Sequence, residues 1–396
     1  MSEPWLTIIG ITENGLPDLP DASRQALDRA DLVFGGPRHL ALAGVADKGR
    51  PWPVPFDIAP VLAAKGRRVV ALTSGDPFWH GAGGTLAAHL HPSDWIALPV
   101  AGTVALAAAR LGWRAETTVT LGLHAAPFAR LRPHLARGCR IIATLRDGDA
   151  VGELADWLCT QGAGSARLTV LERLGGPAER IRTAWAQNMD LADIAAPVAV
   201  AIDGADLPRG AGIGTAPGRP DDGFAHRGQI TKSPIRAMTL AALGPRPGAL
   251  LWDVGGGSGA ISVEWVLAGG RAICIEPRAD RIALIRANIK DFGVGHLVTP
   301  VQGRAPQALS DLPEPDAVFV GGGGSAALFD ALWPMLPTGA RLVANGVTLE
   351  TESLLSALSA RHGGDLTRID IARAAPLGGM RGWQAARPVT QWAVTA

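Results

Sequence analysis

The sequence contains no tyrosine, three cysteines and four lysines among its 396 residues, and its formal net charge at pH 7 is only +1. Cys139, Cys159 and Cys274 are too few for a disulfide scaffold and lack the CxxC spacing of a zinc ribbon, and they fit a reducing compartment. The near-zero charge argues against a dedicated nucleic-acid binder, which usually presents a strongly basic face. No apolar run reaches the roughly 18–20 residues of a membrane helix, and the first residues lack the basic segment of a secretory signal. We therefore expect a cytoplasmic protein with no membrane or nucleic-acid partner.

Arginine supplies most of the positive charge, since 33 of the 37 basic residues are arginines. A GC-rich coding bias explains this excess. The second interpretation is a substrate with several carboxylates, because arginine pairs with carboxylates through two parallel hydrogen bonds. Hydrophobic residues make up 47% of the sequence and charged residues 18%, which allows a large core and excludes global disorder. The length predicts two or three domains.

Short apolar segments alternate with helix-like segments in both halves of the chain, as buried strands do in α/β proteins. In the first half we predict strands over Leu6–Ile11, Val69–Ser74, Ile96–Val100, Arg140–Leu145, Leu168–Glu172 and Val198–Ile202, with helices within Gly102–Gly112 and Gly148–Gly162. In the second half we predict strands over Leu250–Val254, Ala272–Glu276, Leu297–Gln302, Ala317–Gly321, Arg341–Thr348, Leu366–Arg373 and Val389–Thr395. Seven strands with intervening helices indicate a doubly wound sheet.

The last two predicted strands are separated by a loop, Ala374–Pro388, and not by a helix. We therefore expect the final strand to be antiparallel, an ending typical of Rossmann-like methyltransferases and not of nicotinamide dehydrogenases. Between the two halves, residues 204–227 are rich in glycine and proline and have almost no apolar periodicity. We predict a first domain over residues 1–205, a linker over 206–226 and a second domain over 227–396.

The sharpest local signal is an apolar strand that runs into the glycine turn DVGGGSG, from Asp253 to Gly259. Glycines let the backbone approach a ligand, and the following helix presents unpaired N–H groups. The spacing is GxGxG and not the GxGxxG of a dinucleotide site. Asp253 suits the amino group of S-adenosylmethionine, and Glu276, at the end of the next strand, suits the two ribose hydroxyls. The turn therefore favours a nucleotide-type ligand. A second glycine turn, Gly321–Gly324, is expected at the same edge of the sheet.

The second half resembles the precorrin-6Y methyltransferase family of cobalamin biosynthesis. The resemblance rests on GQITK from Gly228 to Lys232, on LLWDVGGGSGAISVEW, ICIEPRADRIALIRANIKDFGV and PDAVFVGGGG, and on RLVANGVTLET. It covers nearly all of Gly228–Ala396 and implies a decarboxylating Rossmann-like class I methyltransferase with a seven-stranded sheet. Contacts with S-adenosylmethionine are implied for Ile230, Thr231, Gly255, Gly256, Gly257, Ser258, Gly259, Glu276 and Ala305.

One segment departs from the family pattern near the expected adenine site. The family usually has an acidic residue in a GDAP sequence, whereas this chain has Arg304 between Gly303 and Ala305. An arginine cannot accept a hydrogen bond from the adenine amino group. Either backbone groups make that contact or Arg304 stacks on the ring.

The first half resembles the tetrapyrrole methylase fold of two αβα lobes, over about Leu6–Asp203. The resemblance rests on the SGDP turn from Ser74, on PVAGTV from Pro99, and on the ERLG and ERI segments from Glu172 and Glu179. It implies S-adenosylmethionine contacts at Ser74, Asp76, Trp79, Thr103, Val104 and Leu145. The first glycine turn departs from the family's GxGPG and reads GITENG from Gly10 to Gly15, which leaves the substrate contact of this turn open.

The resemblance implies a fusion of two methyltransferases that act on one tetrapyrrole, precorrin-6Y (precorrin-6B), and give precorrin-8. The first half is expected to methylate carbon 5. The second is expected to methylate carbon 15 and to remove carbon dioxide from the ring C acetate. Arg236 and Arg381 are candidates for binding substrate carboxylates. Glu264, Asn345 and Glu350 are candidates for the decarboxylation, whose residues stay unassigned. We also expect a homo-oligomer.

Other readings of the sequence are weaker. A single-site methyltransferase with a non-catalytic, tetrapyrrole-binding first half stays open because of the altered Gly10–Gly15 turn. A nucleic-acid methyltransferase predicts an NPPY-type motif or a basic face, and neither is apparent. A nicotinamide oxidoreductase is disfavoured by the glycine spacing. The histidines lack the spacing of metal ligands, so we expect no metal.

Overall fold

A computed structural model describes residues 3–45, 47–214 and 216–396 of the chain. The chain divides into two units, the first formed by Met1–Phe128 with His134–Gly212 and the second by Ala129–Pro133 with Ile213–Ala396. Among the described residues, no helix is both long and apolar enough to cross a membrane.

The first unit contains two five-stranded sheets with helices between the strands. Its strands are β1 (Leu6–Ile11), β2 (Leu32–Gly35), β3 (Gly49–Pro51), β4 (Val69–Ser74), β5 (Trp95–Leu98), β6 (Val119–Gly122), β7 (Arg140–Leu145), β8 (Arg167–Glu172), β9 (Arg180–Trp185) and β10 (Val198–Asp203). Its α-helices are α1 (Asp21–Arg29), α2 (Pro37–Leu42), α3 (Ala59–Leu62), α4 (Ala82–Ala87), α5 (Thr103–Leu111) and α6 (Asp149–Thr160). Short 3-10 helices are found at Leu16–Asp18, Pro92–Asp94, Ala115–Thr117 and Phe128–His134.

The first sheet is fully parallel and the second is mixed. The first has the strand order β3-β2-β4-β1-β5, and the second has the order β6-β7-β10-β8-β9 with only β6 and β7 parallel. Strands β1, β4, β7 and β10 are apolar and buried on both faces, as central strands between helical layers are. This arrangement confirms the expected two-lobed α/β architecture of the first half.

The ERLG and ERI segments have a structural explanation within the second of these sheets. Glu172 is 1% exposed and accepts hydrogen bonds from Arg180 at 2.6 and 3.0 Å and from Arg182 at 3.0 Å. Glu179 binds Arg110 at 2.6 and 3.0 Å and the Gly175 N–H at 2.8 Å. The Glu172 bonds fasten β9 to β8, and the Glu179 bonds tie the connecting turn to α5, so the motif stabilises an edge of the sheet.

The second unit contains one seven-stranded sheet and a separate two-stranded sheet. Its strands are β11 (Leu250–Val254), β12 (Arg271–Glu276), β13 (Val298–Gln302), β14 (Ala317–Val320), β15 (Arg341–Gly346), β16 (Asp365–Ile369), β17 (Ala372–Leu377), β18 (Met380–Ala385) and β19 (Val389–Thr395). Its α-helices are α7 (Ser233–Leu243), α8 (Ala260–Leu267), α9 (Ala279–Asp291), α10 (Ala326–Leu332) and α11 (Leu349–His362), with 3-10 helices at Asp221–Gly223, Gln307–Leu309 and Trp333–Met335. The order of the seven-stranded sheet is β13-β12-β11-β14-β15-β19-β16, and β17 and β18 form the two-stranded sheet.

The topology confirms the doubly wound methyltransferase sheet predicted for the second half. Strands β11 to β15 are parallel, whereas β19 pairs antiparallel with both β15 and β16. All five residues of β11 are buried because helices cover both faces of the sheet. Local sequence sets the helix ends: Thr348 caps α11 by accepting the Thr351 N–H at 3.2 Å, and α7 ends at Gly244 in the left-handed conformation.

The predicted loop Ala374–Pro388 is wrong, because this segment forms most of a β-hairpin. Strands β17 and β18 pair antiparallel in a separate two-stranded sheet, so the predicted strand Leu366–Arg373 also divides at residues 370–371. Leu377, Met380 and Trp383 are 69%, 79% and 80% exposed. A hairpin that packs on no core shows no alternation of buried and exposed residues, which is why its pattern was missed.

Strands β2, β3, β6 and β9 were not predicted either. Three of them have only three or four residues, and β9 alternates arginines with apolar residues at a sheet edge. Runs this short give too few repeats for a periodicity to be recognised.

The segment predicted as a linker over 206–226 makes specific contacts within each unit. Leu207 is buried in the first unit, and Phe224 is buried in the core of the second. Glu264 is buried and accepts hydrogen bonds from the backbone N–H groups of Gly218 at 2.6 Å and Arg219 at 2.9 Å. The segment is therefore tied down along part of its length.

Candidate active sites

Each unit encloses its own cavity. The cavity of the first unit, called here the first cavity, has a volume of about 750 Å³, and that of the second unit, the second cavity, about 810 Å³. Both volumes lie in the range of small-molecule sites, roughly 300–1,000 Å³.

Three glycines bring the loops of the first cavity together at the ends of parallel strands. A Cβ on Gly10 would lie 1.7 Å from the Gly75 carbonyl oxygen, and a Cβ on Gly75 would lie 2.4 Å from the Gly102 Cα. Gly75 also has φ +60°, which disfavours other residues. Only glycine permits this crossing, which places the turns after β4 and β5 side by side at the cavity.

All six residues predicted in the first half line the first cavity, at the ends of three different elements. These residues are Ser74, Asp76, Trp79, Thr103, Val104 and Leu145. Asp76 is held by its own turn, since its Oδ1 accepts the Phe78 N–H at 2.8 Å. The structure therefore brings these positions into one wall.

Sequence reasoning missed the polar side chains on another part of this wall. Glu13 and Arg38 form an ion pair, and both line the cavity. Burial, together with the nearby Arg38 cation, lowers the pKa of His39 to about 4, so this ring is neutral at pH 7. His80 and His124 also line the cavity. Glu13 lies in the altered Gly10–Gly15 turn, and that departure was the one signal that pointed to this part of the wall.

The second cavity opens onto the glycine turn that follows β11. Gly255, Gly256, Gly257 and Ser258 line it, together with Ile230 and Thr231. A Cβ on Gly255 would lie 2.5 Å from the Gly322 carbonyl oxygen, and one on Gly256 would lie 2.2 Å from the Cys274 Sγ. The two glycine turns after β11 and β14 therefore pack against each other at the carboxyl edge of the sheet, as predicted from their positions.

Asp253 and Glu276 lie beneath this turn and do not line the cavity. Asp253 accepts hydrogen bonds from the Ser262 N–H at 3.2 Å and hydroxyl at 2.6 Å, while its Oδ1 is buried without a hydrogen-bond partner. Burial raises its pKa to about 6. Glu276 is fully buried and accepts the N–H groups of Gly257 at 3.0 Å and Arg278 at 3.1 Å. Arg281 covers it at 3.5 Å.

Three further predicted residues also lie outside the cavity lining. Gly259 begins α8 with φ +74°, and a Cβ there would meet Ile285 at 3.2 Å. Arg304 is exposed, and Ala305 packs on the core of the second unit. Both follow β13, whose end lies beside Glu276, because the Gly303 N–H donates to the Glu276 carbonyl at 3.2 Å.

Four cationic side chains line the second cavity, and no aspartate or glutamate is among its described lining residues. The cations are Lys232, Arg281, Arg373 and Arg387. Asn345 reaches the same cavity from the end of β15. Its Nδ2 donates to the Thr239 hydroxyl at 2.9 Å, and its Oδ1 accepts from Gln391 at 3.0 Å. This network fixes the plane of the Asn345 amide.

Two candidates for binding substrate carboxylates and two for decarboxylation do not lie in the cavity. Arg236 is fully buried and pairs with Glu264 at 2.9 Å and Asp221 at 3.1 Å, so it cannot reach a substrate. Both carboxylate oxygens of Glu264 likewise accept hydrogen bonds within the unit. Arg381 lies on the exposed hairpin, and Glu350 is exposed in the first turn of α11. Neither of these two lines the second cavity, whereas Arg373 and Arg387, near the base of the hairpin, do.

No group of three or more His, Cys, Asp or Glu side chains in the described part of the chain is arranged to hold a metal ion.

The chain is similar to known proteins along its whole length. Residues 222–396 match the family model of the precorrin methyltransferase domain, and residues 6–190 match that of the tetrapyrrole (corrin/porphyrin) methylases. A Sinorhizobium sp protein named precorrin-6Y C(5,15)-methyltransferase (decarboxylating) is 45% identical over 99% of this chain and 96% of its own length. A Mycobacterium tuberculosis (strain CDC 1551 / Oshkosh) protein of the same name is 39% identical over 98% of this chain and 99% of its own length. The crystal structure of the C-terminal domain of precorrin-6Y C5,15-methyltransferase from Rhodobacter capsulatus is 64% identical over 46% of this chain and all of that one, with a TM-score of 0.46.

Proposed function

Because the chain belongs to the family of decarboxylating precorrin-6Y C5,15-methyltransferases, we propose that each of its two cavities carries one methyl transfer to the same tetrapyrrole. The first unit methylates carbon 5. The second methylates carbon 15 and removes carbon dioxide from the ring C acetate, a step of cobalamin biosynthesis that gives precorrin-8. The observation that carries this assignment is that each family-matched half encloses a separate cavity of ligand size.

S-adenosylmethionine is the cofactor, and the second cavity fits it. When bound, it supplies an electrophilic methyl group on a sulfonium centre. A Cβ at Gly255, Gly256 or Gly257 would fill the space in this turn. Because these residues have no side chain, a ligand can approach the backbone there. Asp253 presents one buried carboxylate oxygen without a partner behind the turn, which suits a nearby cationic amino group. Glu276 takes the ribose hydroxyls once the Arg281 side chain moves off it.

We assign the adenine contact to two residues that follow β13 beside Glu276. Ala305 would supply backbone contact to the ring, and Arg304 would stack on it in place of the usual acidic residue. In the first cavity, the cofactor lies against the wall formed by Ser74, Asp76 and Thr103 with their neighbours. Support for this comes from the close glycine crossing, which exposes the backbone of both turns to the ligand.

The second cavity binds the substrate through its carboxylates. Lys232, Arg373 and Arg387 provide cations, and charge-assisted pairs with carboxylates are the strong kind of hydrogen bond. These contacts align the attacking carbon with the methyl group and exclude water, which is the main contribution the protein makes to such a transfer. Asn345, fixed by Thr239 and Gln391, orients the ring C side chain. The conjugated macrocycle itself accepts the electron pair released with carbon dioxide.

Mass spectrometry of the product tests the assignment. The full chain is incubated anaerobically with precorrin-6B and S-adenosylmethionine. We expect a product that has gained two methyl groups and lost one carbon dioxide. A single-site methyltransferase with a non-catalytic first unit would add one methyl group only, and a chain with another substrate would add none.

Binding of S-adenosylhomocysteine tests the placement of the cofactor. Calorimetric titration of the full chain is expected to give two sites. A Thr103→Trp variant, which fills the first cavity, and a Thr231→Trp variant, which fills the second, are each expected to retain one. Two sites in both variants would contradict the placement.

We also propose that the chain associates with further copies of itself through the β17–β18 hairpin. Leu377 and Met380 pair on one face of the hairpin and Trp383 lies on the other face, and all three side chains are exposed. Exposed apolar patches of this kind mark association surfaces. Sedimentation of the wild type and of a Leu377→Ser/Trp383→Ser variant is expected to show an oligomer and a monomer, and a monomeric wild type would contradict this.

The cellular setting follows from composition. A cytoplasmic location accounts for three unpaired cysteines, and the net charge of +1 does not favour a nucleic-acid partner. Thiol labelling of the protein in intact cells is expected to find all three cysteines reduced, whereas an oxidised cysteine would contradict a cytoplasmic location.

A further inference from the structure

Two histidines, His80 and His124, stand side by side in the wall of the first cavity. Their ring centroids are 6.2 Å apart, and the ring planes meet at 81°. Both residues line the cavity together with Asp76, Trp79 and Leu145, which are predicted cofactor contacts. The histidine pair therefore lies beside the positions predicted to contact the cofactor.

The backbone at His80 adopts an unusual conformation. His80 has φ 54°, in the left-handed region that few residues with a side chain adopt. Backbone outliers of this kind cluster at functional sites. The strained residue directly follows the turn that carries Ser74, Asp76 and Trp79.

Two neighbours shape the space that the His80 ring occupies. A Cβ on Gly122, at the end of β6, would lie 2.9–3.1 Å from three ring atoms of His80. The Trp79 ring meets the His80 ring edge-on, with centroids 4.7 Å apart. The glycine leaves room for an imidazole at this position, and the tryptophan limits its rotation.

Methylation of a bridging carbon leaves a proton to be removed. The carbon that gains the methyl group still carries its own hydrogen, and conjugation of the macrocycle is interrupted there. For conjugation to return, the C–H bond breaks, its electron pair goes back into the ring system, and the proton passes to a base. An imidazole nitrogen is suited to accept it, since histidine is the side chain that most often acts as a general base.

We propose that His80 accepts this proton from the methylated carbon in the first cavity, and that His124 passes it on to solvent. The inference rests on the proposed function of the first unit. Both side chains are exposed. His80 is the acceptor because Gly122 and Trp79 border its ring, and His124 is the relay because its ring is the next one, with centroids 6.2 Å apart. Neither residue takes part in the chemistry of the second cavity.

The test compares His80→Gln and His124→Gln with a His89→Gln control in the full chain. His89 is exposed just after α4, its ring hydrogen-bonds the Thr85 carbonyl at 2.9 Å, and it is not among the lining residues of the cavity. The substrate is prepared with hydrogen or deuterium at the bridging carbon, and single turnovers are followed by mass and absorbance. We expect His80→Gln to slow formation of the conjugated product at least about 100-fold, the lower end for general-base catalysis.

Three readouts separate proton removal from a structural role. In His80→Gln, a methylated species with interrupted conjugation accumulates, the deuterium isotope effect increases, and added imidazole restores part of the rate. His124→Gln shows the same changes to a smaller extent. Methylation and decarboxylation in the second cavity, measured in the same reactions, stay at the wild-type rate in all three variants, which shows that the chain is folded.

Other outcomes overturn the inference. A His80→Gln rate within about threefold of wild type would exclude a general base. A loss without accumulation, isotope effect or imidazole rescue, accompanied by weaker S-adenosylhomocysteine binding, would make His80 a structural residue. If the wild type transfers no methyl group in the first cavity, the proposed function of that unit fails, and the inference fails with it.

Discussion

Replacement of Glu264 by glutamine removes one buried charge and changes almost nothing else in shape. Glu264 and its partner Arg236 are both fully buried, and their atoms Oε1 and Nε are 2.9 Å apart. The second carboxylate oxygen accepts the Gly218 N–H at 2.6 Å. A glutamine amide that keeps its oxygen toward Arg236 points its NH₂ group at the Gly218 N–H, so that two hydrogen-bond donors face each other. The variant therefore loses a charge-assisted bond and leaves the buried arginine with only the partly exposed Asp221, 3.1 Å away, as its counter-charge.

Breaking a buried ion pair by removing one partner costs about 3–5 kcal/mol. We expect this loss in the free energy of unfolding of the second unit. The exposed pair of Arg146 and Glu153 provides the control, since both side chains are about half exposed. Glu153→Gln is expected to cost at most about 1 kcal/mol.

Native-state hydrogen exchange measures this free energy locally. The amides of β11 are buried in an interior strand of the seven-stranded sheet, so their exchange at increasing urea reports unfolding of the second unit. Arg236 also donates to the Thr231 carbonyl, and Thr231 lines the second cavity. Binding of S-adenosylhomocysteine there should weaken as well. A Glu264→Gln variant within about 1 kcal/mol of wild type, or no less stable than Glu153→Gln, would refute the structural role assigned to this pair.

Three further predictions concern the second cavity. Arg387→Ala should raise the KM for the tetrapyrrole about 10-fold or more, because a charge-assisted hydrogen bond contributes about 1.5–3 kcal/mol; an unchanged KM in steady-state assays would contradict carboxylate binding there. Glu276→Gln should weaken S-adenosylhomocysteine binding at this cavity while the first cavity binds normally, as measured by calorimetry; equal affinities at both sites would contradict a ribose contact. Asp253 has a folded-state pKa of about 6 against an ordinary value of 3.8, so its stabilising contribution is present below pH 3.8 and is lost as pH rises through 6. Asp253→Asn should therefore gain stability relative to the wild type across that range, by up to about 3 kcal/mol in chemical denaturation without cofactor, and a pH-independent difference would contradict the raised pKa.

The buried strands could be predicted from the sequence because parallel strands covered on both faces are continuous apolar runs. Leu250–Val254 and Val389–Thr395 were predicted with the bounds that the structure has. The glycine turn after β11 was recognised for the same reason, since a close approach of two backbones requires glycine at particular positions. What escaped prediction was exposed or short, such as the β17–β18 hairpin, whose side chains contact no core that would impose a pattern.

The polar residues of the cavities were harder to find than the backbone that frames them. The sequence makes Arg236 a candidate for binding substrate carboxylates and Glu264 a candidate for the decarboxylation, and only three-dimensional contacts show that they bind each other. Arg373 and Arg387 lie near the two ends of a misassigned loop, so nothing in the sequence distinguished them from the other arginines. His80 follows a recognised turn, but its strained φ and its glycine neighbour on β6 come from distant parts of the chain.

The central claim is that the two cavities divide the chemistry on one substrate, and product mass spectrometry of two cavity-filling variants tests it most directly. Full-length Thr103→Trp and Thr231→Trp are each incubated with precorrin-6B and isotopically labelled S-adenosylmethionine. We predict that Thr103→Trp still releases carbon dioxide and adds one methyl group, whereas Thr231→Trp releases none. Two methyl groups added by Thr103→Trp, or carbon dioxide released by Thr231→Trp, would contradict the division.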